Sequence, residues 1–176
     1  MHVARPPAVR IGLISDTHGL LRPEALSALR GSDMIVHAGD IGDPSILEQL
    51  AAIAPVCAVR GNNDVDPPVA GLPPTRRVDT GGKRIFVLHD LVKLAVEPLA
   101  AGIDVIVSGH SHKPKIERRD GVLYVNPGSA GPRRFRLPIS VGRLTIAADR
   151  IEAELLPLDI GAAPAALRRA AARGSR

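Results

Sequence analysis

Short aliphatic runs alternate with helical patterns over the first hundred residues. Val9–Ser15, Met34–Ala38, Val56–Val59 and Asp104–Ser108 are almost continuously apolar, the pattern of strands buried on both faces. Between them, Pro23–Leu29 and Ser45–Ala54 carry apolar residues at helical spacing. Proline opens the first of these, and Asp43 or Pro44 stands at the start of the second. Leu91–Ala101 reads as a third helix. Arg76–Asp79 and Lys83–Leu88 flank Thr80-Gly81-Gly82, a hairpin signal. The period then changes to two: Lys115–Arg119 pairs with Val122–Asn126 across Asp120-Gly121, and Ile139–Ala147 with Ile151–Leu156 across Asp149-Arg150.

Alternation followed by hairpins predicts sheet layers enclosed by helices, in which ligands sit beyond the carboxyl ends of strands. The residues just after each strand are therefore the informative ones. Asp16-Thr17-His18-Gly19 comes after the first, Gly39-Asp40-Ile41-Gly42-Asp43 after the second and Gly61-Asn62-Asn63-Asp64 after the third. His89-Asp90 comes after the strand ending at Leu88, and Gly109-His110-Ser111-His112 after the one ending at Ser108. Residues i and i+2 on extended backbone point the same way, so Asp16 with His18, and His110 with His112, can each grip one ion. His37 lies inside a strand and reads as a core or supporting residue.

Composition narrows the classes. The 176 residues are 45% apolar but carry only three aromatics, Phe86, Tyr124 and Phe135, too few for a run of stacking platforms along single-stranded nucleic acid. The single cysteine, Cys57, excludes a disulfide framework and a thiolate zinc cluster. Most of the net charge of +5 falls in an acid-free end bearing Arg168, Arg169, Arg173 and Arg176. One domain over 1–162 is expected, followed by a basic Ala/Arg-rich helix or tail over 163–176. No apolar run reaches a membrane span, and Met1–Pro7 lacks the apolar core of a secretory signal, so a cytoplasmic setting is expected.

In order along the chain, Asp-x-His, Gly-Asp-x-x-Asp, Gly-Asn-x-Asp, a lone strand-end His and Gly-His-x-His resemble the calcineurin-like metallophosphoesterases, and among them the small prokaryotic branch. Asn126-Pro127-Gly128-Ser129 shares that resemblance, which runs from about Val9 to Ser129. It implies a four-layer αββα sandwich of two mixed sheets flanked by helices, and two divalent ions at the strand ends. One ion would take Asp16, His18 and His112, the other Asn62, His89 and His110, with Asp40 bridging; Asp40 and His110 are the implied catalytic pair. Such mixed ligands suit manganese, iron, nickel or zinc better than magnesium or calcium, and manganese is the ion expected. Two such ions outweigh the two carboxylates, attract a phosphate and bring a bridging water towards ionisation, which makes hydroxide the implied nucleophile.

Asp43 and Asp64 resemble the family's ligand-orienting carboxylates. Asn63 stands where larger relatives have a histidine thought to protonate the leaving group, which implies a need for leaving groups that are already good. Asp90 stands where relatives usually have glycine; aspartate tolerates left-handed backbone, so it can keep the turn, and its carboxylate either buttresses an imidazole or adds negative charge where the substrate would sit. Arg133 and Arg134 are candidates for the substrate phosphate. Selectivity is expected from the loops Asp66–Pro74 and Gly131–Pro138. The expected activity is therefore phosphodiester hydrolysis on a small phosphoester, with nucleic acid and a homo-oligomer left open as partners. The alternative is a scaffold, since the fold also serves a retromer subunit that has lost part of its metal site. Retention of all seven implied ligands favours the enzyme.

Overall fold

A computed structural model describes residues 7–161 of the chain, so the predicted helix or tail over 163–176 lies outside the described residues. Ten strands form two five-stranded mixed sheets. The first holds β1 (Val9–Ile14), β2 (Met34–His37), β3 (Val56–Ala58), β9 (Ser140–Ala147) and β10 (Arg150–Pro157), in the order β10-β9-β1-β2-β3. The second holds β4 (Thr75–Thr80), β5 (Lys83–Leu88), β6 (Val105–Val107), β7 (Lys115–Arg119) and β8 (Val122–Asn126), in the order β4-β5-β6-β8-β7. In each sheet three adjacent strands run parallel: β1, β2 and β3 in one, and β5, β6 and β8 in the other. The carboxyl ends of both sets meet at one edge of the sandwich, where His89 bonds to Ala38 and His110 to Asp16.

Alternation decides what each strand buries. Ile11 and Leu13 of β1, Val36 of β2, Ile85 and Val87 of β5, Val105 and Val107 of β6, and Leu144 and Ile146 of β9 form one core between the sheets. Residues one step out of phase, such as Ile14 and Ile35, meet α1 (Pro23–Leu29) and α2 (Ser45–Ala51) through Leu29, Ile46 and Leu50. These aliphatic side chains are fully or almost fully buried, each worth about 1.5–3 kcal/mol relative to exposure.

The layer over the second sheet differs from expectation. Leu91–Ala101 is not a helix: a single 3-10 turn at Leu91–Lys93 is followed by turns, with Leu91 and Leu94 packed near Ile106 and Phe86. Pro98 explains this, because it lacks an N–H and disfavours helical backbone at Glu97. The two sheets match the expected sandwich, while its fourth layer is thin and irregular. Among the described residues, no helix is long and apolar enough to cross a membrane.

Candidate metal centre

Loops from both sheets converge at the shared edge. Asp16 N–H donates to the Gly39 carbonyl at 3.0 Å and His18 N–H to the Asp40 carbonyl at 2.9 Å, tying the loop after β1 to the loop after β2. Gly109 N–H donates to the His89 carbonyl at 2.9 Å, tying the loops after β5 and β6. The two halves join where His110 N–H donates to Asp16 Oδ2 at 3.1 Å. Asp16, His18, Asp40, His110 and His112 all have φ between 45° and 67°, left-handed backbone that costs a non-glycine residue about 1–2 kcal/mol. Five of the seven predicted ligands therefore sit on strained turns, as functional sites commonly do. Gly61 belongs here for its size: a Cβ would run into the Asp40 backbone and carboxylate.

The seven side chains come together as two adjoining groups. Asp16 Oδ1 lies 3.3 Å from His112 Nε2 and 3.8 Å from His18 Nε2, and the two imidazole nitrogens are 3.2 Å apart. Beside them, His89 Nε2 lies 3.3 Å from Asp40 Oδ2, 3.1 Å from Asn62 Oδ1 and 3.9 Å from Asp16 Oδ1. His110 Nδ1 meets Asn62 Oδ1 at 3.0 Å. Asp40 Oδ2 is also 3.7 Å from His18 Nε2, so Asp40 stands between the groups.

Two buried polar atoms of this group, Asp16 Oδ1 and His112 Nδ1, have no hydrogen-bond partner. Asp16 is fully buried; its Oδ2 accepts from the Ser15 hydroxyl at 2.7 Å and from His110 N–H, while Oδ1 has no hydrogen-bond partner. His89 Nδ1–H donates to the Ala38 carbonyl at 2.7 Å, which turns the Nε2 lone pair towards Asp40, Asn62 and Asp16. Carboxylate and imidazole donors so arranged suit a divalent metal ion.

Charges follow the same geometry. Burial pushes the Asp40 carboxyl up, but bonds with His89 and with the Asn63 backbone and side chain outweigh it, holding the group well below the usual carboxylate range. Burial opposes charge on His89, yet its contacts with Asp40 and Asp16 raise its pKa. Burial lowers the pKa of His18 against the pull of Asp40 and Asp16, and the positive charge of Arg134 lowers it further.

The supporting residues divide. Asp64 is buried and accepts three backbone N–H bonds: from Ile41 at 2.9 Å and Gly42 at 3.0 Å on Oδ1, and from Gly61 at 2.8 Å on Oδ2. It locks the loop carrying Asp40 to the loop carrying Asn62. Asn63 holds Asp40 directly, its backbone N–H on Oδ1 at 2.8 Å and its side-chain amide on Oδ2 at 2.7 Å. Asp43 does not orient a ligand: it is exposed, and its Oδ1 accepts from Ser45 N–H at 2.8 Å at the start of α2. For Asp90 the left-handed turn and the imidazole buttress are not found, which leaves the reading of a negative charge beside the site. Its φ of −108° makes no left-handed demand, and its carboxylate accepts from Val92 N–H at 3.1 Å, the local bond that opens the 3-10 turn. It stands on the wall of a cleft of about 590 Å³ beside Asn62 and His89, with Arg60 and Lys93. Arg133 and Arg134 are both exposed, and the positive charge of Arg134 is felt at His18.

Reading the sequence missed Ser15 and Ser129, whose hydroxyls hold the Asp16 carboxylate and carbonyl, because serines beside turns carry no distinctive signal. His37, read as a supporting residue, is fully buried. Its Nδ1 accepts from Gly39 N–H at 3.2 Å, its Nε2 meets Thr17 Oγ1 at 3.0 Å, and that hydroxyl donates to the Ile41 carbonyl at 2.9 Å. Burial above all lowers its pKa to about 4. The unfolded chain binds a proton here below about pH 6.5 that the folded one refuses, so stability rises with pH between about 4 and 6.5. The contribution of about 3 kcal/mol is complete above that window and lost below it. The His37 ring resonances should titrate near pH 4, and titration near 6.5 would contradict the buried neutral imidazole.

Comparison with known proteins agrees with this geometry. Residues 9–149 match the calcineurin-like phosphoesterase superfamily domain. The chain belongs to that superfamily. Within it, the chain is 36% identical over 163 residues to a probable metallophosphoesterase of Methanocaldococcus jannaschii, covering 85% of this chain and 81% of that one. It is 31% identical over 160 residues to phosphodiesterase YfcE of Escherichia coli, covering 77% and 87%. These relatives place it in the superfamily's small prokaryotic phosphodiesterase branch, as a metal-dependent phosphoesterase. The structure of vacuolar protein sorting 29 from Cryptosporidium parvum superposes with a TM-score of 0.74 at 20% identity, covering 88% of this chain and 94% of that one; this likeness concerns the fold.

Proposed function

We propose that the chain hydrolyses phosphodiesters at a pair of divalent cations. Asp16, His18 and His112 would hold one, Asn62, His89 and His110 the other, and Asp40 both. The observation that carries this is the buried, unpartnered Asp16 Oδ1 faced by the Nε2 atoms of His112, His18 and His89. Bound there, divalent ions supply positive charge for a phosphate and a water acidic enough to attack it near neutral pH. The mixed imidazole and carboxylate donors suit manganese, iron, nickel or zinc better than magnesium or calcium, and manganese is the ion to load first.

The protein's share is positioning. Asn63 fixes both oxygens of Asp40, and Asp64 fixes the loop below it. His110, the most open of the imidazoles, stands towards the substrate with its Nδ1 on Asn62. Arg134, near His18, is placed to draw in a phosphate. Asn63 has no proton to give near neutral pH, so the departing alcohol must leave on its own acidity. Protein stripped of metal and reloaded with each ion should bind two per chain and hydrolyse a bis-aryl phosphodiester far faster than a dialkyl one. No turnover with any ion in folded, metal-loaded protein would overturn the reading, and equal aryl and alkyl rates would overturn its leaving-group part.

A further inference from the structure

Three aromatic residues serve the whole chain, and they are used unequally. Phe86 and Tyr124 pack against the outer face of the second sheet, whereas Phe135 is 92% exposed. Phe135 stands at the tip of a turn closed by Leu137 N–H on the Arg134 carbonyl at 3.2 Å, with φ of +52°. Glycine or asparagine ordinarily takes such a position; a phenylalanine there bears about 1–2 kcal/mol of backbone strain while showing its ring to water.

The loop is anchored to the metal centre. Gly131 lies so close under the Thr17 and Asp16 carbonyls that a Cβ would collide with them, and the Arg22 guanidinium donates to the Gly131 carbonyl at 3.3 Å. Ala130 N–H donates to the Ser15 carbonyl at 3.1 Å. Phe135 follows four residues on, so its Cα is within about 14 Å of that anchor. Arg133, Arg134 and Arg136 flank the ring, and no acidic residue occurs between Asp120 and Asp149.

We infer that this loop binds the base of a nucleotide-type phosphoester, with Phe135 as the stacking face and its neighbouring arginines on phosphate oxygens. The inference rests on the proposed phosphodiesterase reading and narrows its substrate class. Guanidinium forks match phosphate oxygens, and an aromatic face takes any base at about 1–3 kcal/mol. One exposed ring holds one base, so the match is to a mononucleotide ester rather than a tract of single-stranded nucleic acid.

Two esters with the same leaving group test this: thymidine 5′-(p-nitrophenyl phosphate) and methyl p-nitrophenyl phosphate. Phe135→Ala should cut the preference of kcat/KM for the thymidine ester about tenfold or more, chiefly through KM, and Phe135→Trp should restore it. Calorimetry with thymidine 5′-monophosphate on the manganese-loaded full chain should show a matching loss of affinity in the alanine variant. An unchanged preference together with an unchanged nucleotide affinity would overturn the inference. So would an unchanged affinity accompanied by conversion of an oligomer to monomer, which would make Phe135 a subunit contact. Should the wild type hydrolyse neither ester, the phosphodiesterase reading fails, and nucleotide affinity still decides the role of Phe135.

Discussion

Asp40→Asn should lower aryl phosphodiester hydrolysis by at least about 10³-fold, the scale seen when a preorganised charge-stabilising group is removed. Asp40 stands between the two donor groups, 3.3 Å from His89 Nε2 and 3.7 Å from His18 Nε2. The bonds from Asn63 and the contact with His89 hold it ionised despite burial. An asparagine offers one accepting oxygen and no charge, so the proposed pair of cations would lose the anion that the proposal has them share. Metal analysis on the same samples should show less than the wild-type content, and circular dichroism an intact fold. A loss under about tenfold with full metal content would remove Asp40 from the centre.

Asp64→Ala is expected to be the most damaging substitution outside the seven donors. Three backbone N–H groups, of Ile41, Gly42 and Gly61, would lose their shared acceptor, two of those bonds being buried. Each unsatisfied donor costs about 1–3 kcal/mol, so the variant should lose about 3–5 kcal/mol overall. For a chain of this length that lowers the melting midpoint by roughly 10 °C. Activity should fall as well at temperatures where the fold survives, because the loops bearing Asp40 and Asn62 are no longer tied together. Thermal denaturation of the two proteins measures the first effect. A shift of only a degree or two would mean that the loops hold their shape by other bonds.

Much of this was legible in sequence because strand ends announce themselves. The β7–β8 hairpin falls at Lys115–Arg119 and Val122–Asn126, as its Asp120-Gly121 turn predicted, and α1 occupies Pro23–Leu29. Five loops rich in metal-capable side chains came after five strands, and parallel topology brought them to one edge. Failures came where short-range bonds compete with pattern. Leu91–Ala101 has helical spacing, but Pro98 interrupts it. Asp43 and Asp90 have the right residue type near the centre, yet each turns to a backbone N–H two residues on. Aspartate in a turn satisfies itself locally whenever it can. Phe135 was invisible for another reason: exposure and left-handed backbone are written in neighbouring chain segments, not in the residue itself.

The donors hang from two separate sheets: Asp16, His18, Asp40 and Asn62 from the first, and His89, His110 and His112 from the second. The aliphatic filling between those sheets is accordingly a spacer for the chemistry. Slippage of one sheet across the other by a fraction of a side chain would pull apart the two jaws that must close on the same cargo. Repacking that interior with residues of different bulk would therefore be felt as altered cation affinity well before it was felt as unfolding.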